Sequence, residues 1–115
     1  MKINILYLYN DLMNLYGESG NIKAITNYLK EQNIKTNIIE KSIQDEITLE
    51  DIDLIYIGSG MENNQLLALE HLKNYKEQLK EYIENNGYMI IINHILNILK
   101  HIKKIVNLLK KKLCM

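Results

Sequence analysis

Proline, tryptophan, phenylalanine and arginine are all missing from this sequence of 115 residues, and cysteine occurs once. A lone thiol, Cys114, excludes a disulfide framework and a cysteine-rich metal site. Without arginine the chain lacks the planar fork preferred for bidentate phosphate and guanine contacts, which argues against a nucleic-acid partner. No apolar run approaches the ~18 residues of a membrane span. The start, Met1-Lys2-Ile3-Asn4, opens no signal-peptide core. A cytoplasmic protein is expected.

What is present is globular. Apolar residues make up 47% and charged residues 24%, the composition of one ordinary domain without internal repeats or linkers. Isoleucine, asparagine and lysine are abundant, a skew toward A/T-rich codons that is read here as compositional bias. The formal net charge of zero hides a division. All 14 acidic residues lie between Asp11 and Glu84, and the body before Asn93 holds eight lysines, whereas six lysines and no acidic side chain follow Asn93. The body therefore carries −6 and the tail +6.

Lys2 to Leu8 reads as a buried first strand, and Tyr9 to Gly20 as a polar loop. Asn21 to Gln32 places Ile22, Ile25 and Leu29 at helical spacing, and Ile34 to Glu40 gives a second strand. Asp53 to Ile57 is a third strand, ended by Gly58-Ser59-Gly60. Asn63 to Asn85 is helical with a break expected near Lys73-Asn74, and its apolar stripe runs through Leu66, Leu69, Leu72, Tyr75, Leu79, Tyr82 and Ile83. Gly87 is the expected C′ glycine that stops it. Tyr88 to Ile92 is a fourth strand, the most hydrophobic and on that ground central, and Ile95 to Leu113 a closing helix. The order predicts an α/β fold: a truncated, flavodoxin-like, three-layer arrangement with a parallel sheet of about four strands and helices on both faces.

Ligands of such sheets bind beyond the carboxyl ends of the strands, which here lead into Tyr9 to Asn21, Gly58 to Gly60, and Asn93-His94. Gly58-Ser59-Gly60 is either a plain glycine turn or a cradle of unshielded backbone N–H groups for an oxyanion. It lacks the third glycine of a dinucleotide fingerprint, and Gly17-Glu18-Ser19-Gly20 lacks the Gly-Lys-Ser/Thr ending of a phosphate loop. A flavodoxin-like nucleotide or flavin binder thus has only its sheet in its favour. Asp11 is read as a capping residue, with Asp53 on the opposite edge, and His71 as pointing to solvent or the sheet edge. His94 and His101 share a helix face without a third ligand, so no metal is expected.

The stretch Asp11-Leu12-Met13-Asn14-Leu15-Tyr16-Gly17-Glu18-Ser19-Gly20-Asn21-Ile22 resembles the N-terminal signature of the glutaminase subunits of lipid II isoglutaminyl synthase, within the cobyric-acid-synthase-like class I glutamine amidotransferases. The Asp53-to-Gly60 strand and turn and Gln65-Leu66-Leu67-Ala68 are similar too, so residues 1–92 are assigned to the front of that domain. The resemblance implies a cysteine glutaminase that needs no cofactor. A thiolate on a strand-to-helix elbow attacks the glutamine carboxamide, and backbone amides hold the tetrahedral oxyanion. The ammonia passes to a Mur-ligase-like, ATP-dependent subunit that amidates the lipid II stem-peptide glutamate in peptidoglycan synthesis. Gly58, Ser59 and Gly60 match the oxyanion-hole turn, and Asp11, Asn14, Tyr16, Gly17, Gly20 and Asn21 the signature loop. A cobyric-acid-type substrate is the alternative within the family.

The nucleophile is not there. The family pattern after the fourth strand is Ile-Cys-Gly-Gly-Tyr-Gln, and this chain has Ile92-Asn93-His94-Ile95-Leu96-Asn97. Asn93 stands at the cysteine position, the catalytic histidine has no counterpart, and Cys114 is too far along the chain to replace the thiol. Residues 93–115 are thus read as an atypical basic amphipathic helix, with an apolar stripe through Ile95, Ile98, Leu99, Ile102, Val106, Leu109 and Leu113. A helix covering the sheet is expected there rather than one lying on an anionic membrane. An inactive fragment produced by frameshift or truncation is expected, in preference to a diverged non-catalytic paralogue. A half-domain that still docks on the Mur-ligase-like subunit is the second functional reading.

Overall fold

The computed structural model describes residues 2–15 and 18–91, with the backbone alone at Glu18 and Ser19. Strand β1 (Lys2–Leu8) has apolar side chains on both faces because both are covered. It pairs in parallel with β2 (Lys35–Lys41) and with β3 (Leu54–Ile57), placing Ile5 opposite Ile38 on one side and Leu54 on the other. Strand β4 (Tyr88–Ile91) continues the sheet beyond β3, in parallel, so the order is β2-β1-β3-β4. The expected α/β architecture is present.

Alternation along the strands divides the core in two. Ile3, Ile5 and Tyr7 of β1, with Leu54 and Tyr56 of β3, face helix α1 (Glu18–Glu31), which buries Ile22, Ile25 and Leu29 against them. Leu6, Leu8, Ile55 and Ile57 face the other way. There they meet α2 (Glu62–Leu72), a 3₁₀ turn (Lys73–Tyr75) and α3 (Lys76–Glu84), through Ala68, Tyr75, Leu79 and Tyr82. The 3₁₀ turn is the break expected near Lys73-Asn74. The connection 42–53 has no helix or strand of its own and packs Ile47 on this second face. An edge-to-face contact between Tyr7 and Tyr56 closes the first face, ring centroids 5.4 Å apart.

Three expectations give way here. Strand β4 is not central: among the described residues it ends the sheet, and its Ile91 is 54% exposed. The stripe on α2 and α3 holds only in part: Leu72, Tyr75, Leu79 and Tyr82 pack on the second core face, but Leu66, Leu69 and Ile83 are each about half exposed, and Ala68, outside the expected stripe, is buried. The 3₁₀ turn advances the chain by a different angle per residue, so one helical period cannot span both helices. Finally, Asn86, not Gly87, takes the left-handed C′ position after α3, with φ 64°. Gly87 N–H bonds Tyr82 O (2.9 Å) and Asn86 N–H bonds Ile83 O (3.0 Å), the paired bonds of a Schellman end. Helix α1 stops the same way. Asn33 has φ 60°, Ile34 N–H reaches Leu29 O at 2.8 Å, and Asn33 N–H reaches Lys30 O at 3.0 Å.

The chain leaves β1 toward β2 on one side and returns to β3 on the other, so the carboxyl ends of β1 and β3 form the switch point where this fold class opens a crevice. Asp53 lies on the opposite edge as expected. It joins the strand entries, accepting from Asn4 N–H at 2.8 Å and donating its own N–H to Asn4 O at 2.9 Å.

Candidate functional site

Two segments meet at the switch point: the loop 9–15 leaving β1 and the turn 58–60 leaving β3. The loop starts with an abrupt change of direction at Tyr9, whose φ is 58° and whose side chain is fully buried. Its N–H still bonds Lys41 O at 2.8 Å, as a continuation of the β1–β2 ladder. Its carbonyl then collects Leu12 N–H at 3.1 Å and Met13 N–H at 2.7 Å, which curls the loop. Leu15 N–H donates to Ser59 O at 2.9 Å, so the curl ends on the turn after β3.

Side chains of α2 and of the connection 42–53 secure this loop and the turn beside it. Asn64 of α2 donates Nδ2–H to Leu12 O at 3.0 Å, and Gln65 donates Nε2–H to Gly60 O at 2.6 Å. Asp11 Oδ1 accepts from the Ser42 hydroxyl at 2.5 Å, and Asp45 Oδ2 accepts from Ser42 N–H at 2.9 Å. Asp11 is therefore a tether between loops and not the cap of its own turn. His71 Nε2 lies 2.9 Å from Asp45 O, an acceptor only, so Nε2 carries the hydrogen. In the neutral ring Nδ1 then accepts from the Tyr9 hydroxyl at 2.8 Å. Of the two placements expected for His71, solvent is excluded by these two bonds and the sheet edge stands: a half-buried ring meets Tyr9 just past the end of β1. Burial raises the Tyr9 phenol well above its ordinary pKa, and Tyr75 nearby adds to the rise.

The turn itself is buried, with Ser59 only 5% exposed. A Cβ on Gly60 would strike the Met13 thioether and lie 3.0 Å from Leu12 O, so only glycine lets the loop close this tightly. Asn21 of α1 reaches the same region from the first face, donating Nδ2–H to Tyr56 Oη at 3.1 Å. Gly20 has open space around it, and Asn14 is exposed. The structure thus brings Asp11, Ser59, Gly60 and Asn21 to one edge of the sheet. Tyr16 and Gly17 lie outside the described residues, as do Asn93, His94, His101, Cys114 and the closing helix expected over 95–113.

Sequence reasoning did not find Leu15, Met13, Asn64, Ser42 or the role of His71. Leu15 acts through its backbone and leaves no mark in residue type. Asn64 and Ser42 are ordinary polar residues until the fold sets a carbonyl or a carboxylate opposite them. Among the described residues no group of three or more His, Cys, Asp or Glu could hold a metal ion, and no helix is long and apolar enough to cross a membrane.

Comparison with known proteins locates this arrangement. A CobB/CobQ-like glutamine amidotransferase domain matches residues 4–92. The glutamine-hydrolysing lipid II isoglutaminyl synthase subunit GatD of Staphylococcus aureus (strain N315) is 37% identical over 82 residues, covering 71% of this chain and 34% of that protein. The subunit of the same name from Streptococcus pneumoniae (strain ATCC BAA-255 / R6) is 29% identical over 86 residues, covering 75% of this chain and 33% of its own length. The chain thus spans about a third of the length of these curated relatives.

Proposed function

This chain belongs to the CobB/CobQ-like glutamine amidotransferase domain family, and from that premise we propose that it carries the oxyanion-holding part of a glutaminase without the thiol that begins the reaction. The observation that carries this reading is the buried Gly58-Ser59-Gly60 turn, set at the switch point and clasped by the loop after β1. In a glutaminase of this kind a thiolate adds to the carboxamide carbon of glutamine and the carbonyl oxygen becomes an oxyanion. Ammonia then leaves, and water hydrolyses the thioester. Backbone N–H groups aimed at the oxyanion supply the electrostatic part of catalysis, and the positive end of α2, which starts directly after the turn, adds to it.

Residue 93, where the family pattern has its cysteine, is asparagine in this sequence. A carboxamide has no ionisable proton to lose near neutral pH and does not add to another amide. The purified chain is therefore expected to release no ammonia from glutamine above a buffer control, in a coupled assay for ammonium. Release abolished by changing Asn93 or Cys114 would overturn the reading.

The relatives are named as subunits of lipid II isoglutaminyl synthase, which supports assembly with a partner subunit; by the family resemblance that partner is an ATP-using, Mur-ligase-like subunit that amidates the stem-peptide glutamate. In that setting the chain acts as a non-catalytic docking module. The apolar side chains left exposed at Leu66, Leu69, Ile83 and Ile91 favour this second reading, since unpaired apolar surface of this extent suits an interface. Co-purification of the two at micromolar concentration is the expected result, and no association removes the module reading.

A further inference from the structure

The loop 9–15 does more than fill the space above the sheet. A trans peptide points its C=O and its N–H in opposite directions, and no cis peptide occurs among the described residues. The Ser59 carbonyl is drawn toward the loop that follows β1 by Leu15 N–H, at 2.9 Å. The N–H of the same peptide, that of Gly60, must then face the other way. With β3 lying between β1 and β4, the other way is the β4 side.

We infer that Leu15 is a positioning residue, whose backbone N–H holds the Ser59–Gly60 peptide with the Gly60 N–H turned outward as the oxyanion donor; this rests on the reading of the turn as an oxyanion cradle. The alternative orientation, rotated by half a turn, would aim a carbonyl oxygen at the developing negative charge and cancel the stabilisation. Nothing in Gly58-Ser59-Gly60 alone selects between the two orientations, since glycine tolerates both. The selection comes from the loop. Tyr9, through its positive φ and its hydroxyl bond to His71, fixes where the loop starts. Asn64 holds Leu12, and Asp11 holds the outer side through Ser42. With those anchors in place, Leu15 N–H has one acceptor to meet. Met13 closes over Gly60, its thioether standing where a Cβ of that residue would lie. Leu15 itself is 49% exposed, and its side chain is dispensable to this role.

The test uses the full chain labelled with ¹³C and ¹⁵N. A scalar coupling across the hydrogen bond from Leu15 N to the Ser59 carbonyl carbon is expected, with slow amide exchange at Leu15 and fast exchange at Gly60. Acetate serves as the oxyanion probe, and a saturable shift of the Gly60 amide resonance is expected on titration. Leu15→Ala keeps the N–H and should retain coupling and shift. Leu15→Pro removes the N–H and should lose both, with far-ultraviolet circular dichroism reporting whether the fold persists. The coupling in the unmodified chain needs no variant, so a misfolded proline variant leaves the proposal exposed to refutation. A folded wild-type chain without the coupling, or with a slowly exchanging Gly60 amide, overturns it. Coupling present with no acetate shift at Gly60 leaves the orientation standing and removes the cradle reading beneath it.

Discussion

Gly87 looks in the sequence like a helix stop, and in the structure it is a space for a ring. A Cβ placed there would run into the Tyr82 ring, which is buried and pinned because its hydroxyl donates to Tyr88 O at 2.8 Å and accepts from Tyr88 N–H at 3.1 Å. Gly87→Ala must therefore move a ring that has no free rotamer, and it should cost about 2 kcal/mol, read as a lowered urea midpoint at unchanged slope. Tyr82 also shares with Tyr9 a phenol raised above its ordinary pKa; for Tyr82 burial is the main cause, the backbone bond to Tyr88 lowers it in part and Asp53 raises it. The folded-state value lies above the unfolded one, so the stability that depends on the neutral phenols is complete below about pH 10 and is lost as pH climbs through the folded value. Ultraviolet difference titration should accordingly find these two rings still protonated above about pH 10, and unfolding should accompany their ionisation.

At the scale of elements, the two helix ends repeat one solution. Asn33 and Asn86 both sit in the left-handed region and both let their own amide and the one after it return to the last turn. Asparagine is the non-glycine residue that best tolerates this conformation, and a chain rich in asparagine and poor in glycine uses it twice. Asn33→Gly and Asn86→Gly should stay within a few tenths of a kcal/mol of wild type, while the alanine variants should each fall by about 1 kcal/mol in urea unfolding. Strand positions and the helix break were legible because alternation, β-branching and the 73–75 interruption are local signals. The burial face of α2 and α3 was legible only in part, through Leu72, Tyr75, Leu79 and Tyr82, because a 3₁₀ turn between the helices shifts the phase and no single period describes both. His71 stayed open between solvent and the sheet edge for a related reason. Its partners, Tyr9 Oη and Asp45 O, come from distant parts of the chain, and nothing local announces them.

For the whole molecule, hydrophobicity was a poor guide to where a strand lies in the sheet. Residues 88–92 are the most apolar run, yet β4 ends the sheet among the described residues, since pairing is decided by crossover geometry and not by strand composition. The candidate site was legible in its glycine turn and its long loop motif, and not in the backbone bond that joins them. That bond belongs to the arrangement of β1 beside β3. The same arrangement bears on how the polypeptide is made. Both neighbours of β1 are encoded after it, Ile5 waiting for Ile38 on one side and for Leu54 on the other. A ribosome therefore releases β1 before either of its flanks, so the nascent segment is open to misassociation until residues near Ile57 have emerged.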